Sequence, residues 1–214
     1  MVDNQAVETE LDNTILKVTL NTPLLPKASI EVSMAFKTYF DVGTLRRRMN
    51  VFEEHGSKHY NGVHWYPSIC VYDSKFGWTT EQHMDKEFYA DFGTFDVELS
   101  FPNDFIVEAT GELTNEDEVL PPSLLEKINL DSFQIKRTEV SNPIVRDGTF
   151  KTWKYHAINV HNFAFTADPK YRKRTQLWNG IKVLTLAMEQ NAYKWQGSGD
   201  FASQVTQIYS TDIG

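Results

Sequence analysis

The chain has 214 residues, 41% of them hydrophobic, including 14 Phe, 9 Tyr and 5 Trp; that is enough for one large domain, or one domain and part of a second, around a β-rich core. A formal net charge of −8 argues against general nucleic-acid binding, which draws its affinity from neutralised phosphates. No apolar run is long enough to span a bilayer, the polar and acidic first dozen residues carry no signal-peptide pattern, and the single cysteine excludes an internal disulfide without fixing a compartment.

Residues 1–13 read as a frayed terminus. The segment TILKVTL (14–20) places Leu16, Val18 and Leu20 on one face. After a break at Pro23 and Pro26, SIEVSMAFKTYF (29–40) alternates, with Ile30, Val32, Met34 and Phe36 inward and Glu31, Ser33 and Lys37 outward. Two antiparallel strands joined by the proline-bearing loop is the simplest expectation. Arg46 to Arg48 form a short basic run, read as a solvated edge because three cations do not make a nucleic-acid patch.

The most informative stretch is 59–113. Trp65, Tyr66 and Pro67 lead into the apolar run Ile69–Tyr72, which stops at Asp73, and a turn region carrying Gly77 and Trp78 follows. Cys70, mid-run between Ile69 and Val71, reads as a small buried hydrophobe in a strand. Beyond Glu87, Phe88, Tyr89, Asp91, Phe92 and Gly93 the alternation is strict. Phe95, Val97, Leu99 and Phe101 share one parity; Asp96, Glu98 and Ser100 share the other. Period two marks a strand with one buried and one wet face. Pro102-Asn103 punctuates it, and Phe105–Thr110 reads as the return strand, ending at Gly111.

Pro121-Pro122 before SLLEK suits a short helix, since proline is tolerated in a first turn. Strands are expected at 132–140 and 152–165, separated by the turn signal Asp147-Gly148. KYRKR (170–174) reads as a basic loop and Ile181–Ala187 as the last strand. Asp200 is placed to cap a final helix whose Phe201, Val205 and Ile208 fall at i, i+4 and i+7.

Motifs that carry chemistry are sparse. His55 and His59 are four apart, a zinc-pair spacing on a helix. The Glu that would act as general base is missing between them, however, and Gly56 disfavours a helix, so an exposed loop is the better reading. His64, His83, His156 and His161 repeat at no ligand spacing. There is no G-x-S-x-G, no phosphate-binding glycine loop and no C-x-x-C. The aromatic group Trp65, Tyr66, Tyr72 and Trp78 is either a core cluster or an exposed platform able to stack against sugars or peptides.

Taken in order, WYPSICVYDSKFGW (65–78), EFYADFGTFDVELSFPNDFIVEATGEL (87–113) and WKYHAINVHNFAFTAD (153–168) resemble the N-terminal β-domain of the aminopeptidase N family of zinc metallopeptidases. That family's H-E-x-x-H motif and G-x-M-E-N segment are absent from the chain. The resemblance implies a mostly β fold, an antiparallel saddle or sandwich over residues 1–168. Residues 169–214 would follow as a linker strand and helical tail leading toward a catalytic domain outside the chain. It implies no catalytic or metal-binding residue here, with zinc and peptide substrate belonging to the parent enzyme and that enzyme's catalytic domain as partner. It also implies a substrate edge, with Asn61 as the counterpart of a family Gln or Glu beside the substrate amine, His64 as a second polar candidate, and Trp65 next to them. The alternative expectation is a non-enzymatic β-sandwich module that binds carbohydrate or protein.

Overall fold

The structure, a computed structural model, describes residues 1–42, 48–81 and 90–213. Its strands are β1 (Thr9–Asp12), β2 (Ile15–Val18), β3 (Asp41–Val42), β4 (Asn50–Glu54), β5 (Ser57–Gly62), β6 (Tyr72–Asp73), β7 (Gly77–Trp78), β8 (Gly93–Pro102), β9 (Ile106–Ala109), β10 (Glu112–Leu113), β11 (Phe150–Val160), β12 (Phe165–Asp168), β13 (Tyr171–Trp178) and β14 (Ile181–Met188). The helices are α1 (Glu116–Val119), α2 (Pro122–Ile128), α3 (Glu189–Ala192) and α4 (Ser198–Ile208). The fold is mostly β and largely antiparallel, as expected, with a short C-terminal helix. No helix among the described residues is long and apolar enough to cross a membrane. Contacts divide the chain into two units, Met1–Tyr39 with Trp65–Phe92, and Phe40–His64 with Gly93–Gly214. The boundary expected at residue 168 falls inside the second unit.

In the first unit, β1 and β2 form a hairpin with Leu11 opposite Leu16. This corrects two expectations: residues 9–12 are not frayed, and the partner of β2 is β1 rather than 29–40. Asn13 sits in the left-handed region at φ 52°, where Asn is tolerated, so two residues close this hairpin. The alternative loop carries Pro23 and Pro26, which donate no backbone hydrogen bond. Residues 29–40 form only a bridge from Val32 to Val2, and Val32, Met34 and Phe36 stay exposed. The run at 69–72 is likewise not a strand until Tyr72. Cys70 is half-buried and Ile69 exposed.

The second unit is built on two sheets. In one, β11 lies between β10 and β8. The alternation of β8 is realised: Leu99 is buried opposite Trp153, and Phe95, Val97 and Phe101 share its side. The other sheet runs β3-β4-β5-β12-β9. Phe101 reaches across to Tyr60 and Phe165, with ring centroids 6.1 and 5.8 Å apart, and the Tyr155 hydroxyl donates to the Val107 carbonyl at 2.8 Å. This aromatic seam is the core. Here β9 departs from expectation, because it does not return beside β8 but pairs with β12. The cause lies in the turn before it: Asn103 donates to the Val145 carbonyl and buried Asp104 takes the Arg146 guanidinium at 2.9 Å, so the chain is drawn across to the facing sheet.

Three further corrections concern the last third. Residues 132–140 are not a strand; a 3₁₀ turn at Leu130–Ser132 lodges Leu130 and Phe133 against Ala187 and Ala192. KYRKR is not a loop, since Tyr171–Arg174 begin β13, where Arg172 and Lys173 are buried against Glu189 and Glu108. Helices α2 and α4 form where expected, but the N-cap of α4 is Gly197, and Asp200 lies in its first turn, 3.6 Å from Arg174. Helix α4 packs on the β13–β14 hairpin through its small side. Gly199 lies against Gln176 and Thr185, and Ser203 accepts from Gln176 at 2.8 Å. Phe201, Val205 and Ile208 face outward.

Gly111, between β9 and β10, has φ 91°, and a Cβ there would lie 2.4 Å from the His156 carbonyl oxygen. Both the backbone conformation and the close approach to β11 require glycine. Gly111→Ala should therefore destabilise the protein by about 2–4 kcal/mol, read as a lower denaturant midpoint at unchanged slope.

Candidate functional site

The β4–β5 hairpin turns at His55-Gly56, both in the left-handed region, so the residue pair His55 and His59 spans a turn and a strand rather than one helical face. His55 is exposed, while His59 points into the second unit and is buried, which corrects its reading as part of an exposed loop. In β5, His59 and Asn61 share a face, and β12 places Thr166 directly opposite Asn61. Thr166 and Asp168 share a parity on β12, so four polar side chains meet on two paired strands.

Their geometry is specific. His59 Nδ1 is 3.1 Å from Asp168 Oδ2, and its Nε2 is 3.1 Å from Asn61 Oδ1. Thr166 donates to Asn61 Oδ1 at 2.9 Å and meets the Tyr171 hydroxyl at 2.6 Å. Asp168 Oδ1 accepts the Lys170 backbone N–H at 2.6 Å, which fixes the carboxylate. The His59 ring stacks on Phe52 at 4.4 Å and meets Tyr171 edge-on at 5.6 Å. Burial, chiefly, pushes the Tyr171 phenol well above its ordinary value.

The order Asp168–His59–Thr166 has the connectivity of a hydrolytic triad, but in this structure the Thr166 proton is directed to Asn61 rather than to His59. The Thr166 hydroxyl is 3.5 Å from His59 Nε2, against 2.9 Å to the Asn61 oxygen that takes its proton. Proton abstraction needs a contact of about 2.6–3.2 Å. The cluster is a closed internal network. A catalytic zinc takes three protein ligands, and among the described residues no three His, Cys, Asp or Glu group together.

The three residues expected at a substrate edge fall in different surroundings. Asn61 is half-buried in the network just described. His64, exposed at the end of β5, lies with Nδ1 2.9 Å from the Asn162 amide. Trp65 belongs to the first unit, with its ring 5.4 Å from Tyr66 and 6.3 Å from Phe36. Among the other histidines, His156 holds Asp96 across the β11–β8 pair at 2.7 Å, and His83 lies outside the described residues, as do Glu87, Phe88 and Tyr89.

The first unit carries an aromatic hairpin. Tyr72 and Trp78 face each other across β6 and β7 at 5.1 Å, edge to face. Asp73 closes the turn by accepting the N–H groups of Lys75 and Phe76 at 2.8 and 2.7 Å. Tyr72 is 61% exposed, Trp78 57% and Phe76 73%. Of the two readings open for this aromatic group, Tyr72 and Trp78 follow the exposed one. Comparison with protein-family models, with curated proteins and with solved structures finds no match to this chain.

Proposed function

We propose that this chain is the non-catalytic N-terminal β-domain of a zinc-dependent aminopeptidase, an enzyme that removes N-terminal residues from peptides. Its role there is to wall the cleft and orient the substrate's free amine, while the metal-activated water acts in a separate catalytic domain. The observation that carries the reading is that two of the resembling stretches, 93–113 and 153–168, fall in one unit and pair there, while 65–78 falls in the other. Residues 93–113 and 153–168 supply β8, β9, β10, β12 and most of β11, paired with one another across two sheets. The outward stripe Phe201, Val205 and Ile208 on α4 supports it as well, since the catalytic domain would cover those side chains.

On this reading the purified chain neither retains zinc after dialysis nor hydrolyses aminoacyl anilides. An H-E-x-x-H followed by a downstream Glu is expected in the same reading frame. One tightly held zinc per chain with turnover, or a frame without that motif, overturns it. A second reading, a carbohydrate- or protein-binding module, draws on the exposed Tyr72, Phe76 and Trp78, because exposed rings offer apolar area for stacking. Quenching of tryptophan fluorescence by an oligosaccharide, lost in Trp78→Ala, would favour it.

A further inference from the structure

We propose that His59 is a proton-operated latch, engaged when each ring nitrogen carries a proton and set in that state by Tyr171 acting through Thr166 and Asn61. Tyr171 is buried and keeps its phenolic proton, which must be donated; the acceptor at 2.6 Å is Thr166 Oγ1. Thr166 must then send its own proton elsewhere. The Asn61 side-chain oxygen at 2.9 Å is the better acceptor than the Tyr60 carbonyl at 3.4 Å. This fixes the Asn61 amide with its oxygen, not its nitrogen, toward His59. A carboxylate faces Nδ1 and an amide oxygen faces Nε2, each at 3.1 Å. Both are acceptors, so both ring nitrogens donate.

Loss of the Nε2 proton leaves two acceptors facing each other at that distance. The contact is restored only if the Asn61 amide turns over, which in turn redirects Thr166. One proton therefore rearranges the links between β5, β12 and the start of β13. The engaged state holds one proton more than the released state, so raising the pH favours release.

The charged and titratable groups around the ring are few. Asp168 faces it from β12 and Tyr171 from β13, while β4 presents the uncharged Phe52. One step removed, the Lys170 ammonium holds the His55 carbonyl at the β4–β5 turn, Arg172 feels the Asp168 charge, and Glu108 of β9 acts on Tyr171. None of these second-rank groups bonds the ring, and the latch is confined to His59, Asp168, Asn61, Thr166 and Tyr171.

The test is long-range ¹H–¹⁵N NMR of the histidine rings in the full chain, across the pH range in which circular dichroism shows it folded. The wild type should show two N–H signals for His59 at the acidic end. Raising the pH should remove one of them together with a change in the Asn61 side-chain amide shifts. Tyr171→Phe deletes the donated proton and should reduce His59 to one N–H at a pH where the wild type has two. Thr166→Val provides the same reading if Tyr171→Phe fails to fold. A single ring N–H in the wild type at every pH overturns the proposal. So does a two-proton ring that neither variant changes.

Discussion

Trp153→Ala should destabilise the protein by about 3–5 kcal/mol, and Trp153→Phe by distinctly less than the volume difference alone suggests. Trp153 sits in the middle of β11, the central strand of its sheet, directly opposite Leu99 of β8, and is fully buried. Deleting the indole leaves a cavity that two hydrogen-bonded neighbouring strands cannot close by collapsing. Phenylalanine leaves a smaller void and also removes a liability. The indole Nε1 is buried without a hydrogen-bond partner among the described residues, and an unmade hydrogen bond of this kind costs about 1–3 kcal/mol. Both substitutions remove the unpaired N–H, so that relief is common to them, and the larger cavity is what makes Trp153→Ala the costlier. Urea denaturation of the three proteins, compared at constant slope, separates them. Equal losses for Ala and Phe would mean that the site closes over the smaller side chain.

What could be read from the sequence was whatever depended on neighbours two residues away. The face of β8 follows from Phe95, Val97, Leu99 and Phe101 alone, because a strand with one wet side writes its alternation into its own residues. The α2 helix was legible from Pro122 and the LLEK run for the same reason. What failed was pairing. SIEVSMAFKTYF alternates as well as β8 does, yet it forms only a bridge, since alternation describes a strand that has a partner and cannot supply one. The β1–β2 pairing is not legible because β1 (TELD) is exposed and mostly polar, and what closes the hairpin is the left-handed Asn13. KYRKR reads in sequence as a basic loop, whereas β13 buries Arg172 and Lys173 against carboxylates that lie 17 and 65 residues away in sequence.

The polar network around His59 shows the same limit at the level of a site. H-Y-N at 59–61 and T-A-D at 166–168 each put two polar side chains on one face of a strand, a pattern visible in the sequence. Neither suggests a cluster until the register sets Thr166 against Asn61. Asn61 was singled out by resemblance as a residue facing substrate. Its amide oxygen meets His59 and Thr166 at 3.1 and 2.9 Å, and no spacing rule links Asn61 to Thr166 across more than a hundred residues.

Breaking the Arg172–Glu189 pair should be the most damaging charge change in the molecule, and removing both partners should cost less than the sum of the single losses. Both side chains are about 1% exposed. Arg172 also donates to the carbonyls of Tyr171 and Ser141 at 2.9 and 3.0 Å and lies over the Phe133 ring at 4.9 Å. Glu189 accepts the backbone N–H of Ser141 at 3.0 Å and its hydroxyl at 3.2 Å. Burial lowers the basicity of the guanidinium, and Glu189 is the main group opposing that effect. Arg172→Met therefore leaves a buried carboxylate without its cation and two carbonyls without a donor, a loss of about 3–5 kcal/mol. Glu189→Leu leaves a buried cation that still reaches those two carbonyls, so its cost should be the smaller of the two. In Arg172→Met/Glu189→Leu no charge is stranded, and the double mutant should recover about 2 kcal/mol or more relative to additivity. Denaturation midpoints for the four proteins close the cycle. Strict additivity would show that each charge is solvated independently, and that the strand position of residues 171–174 rests on packing alone.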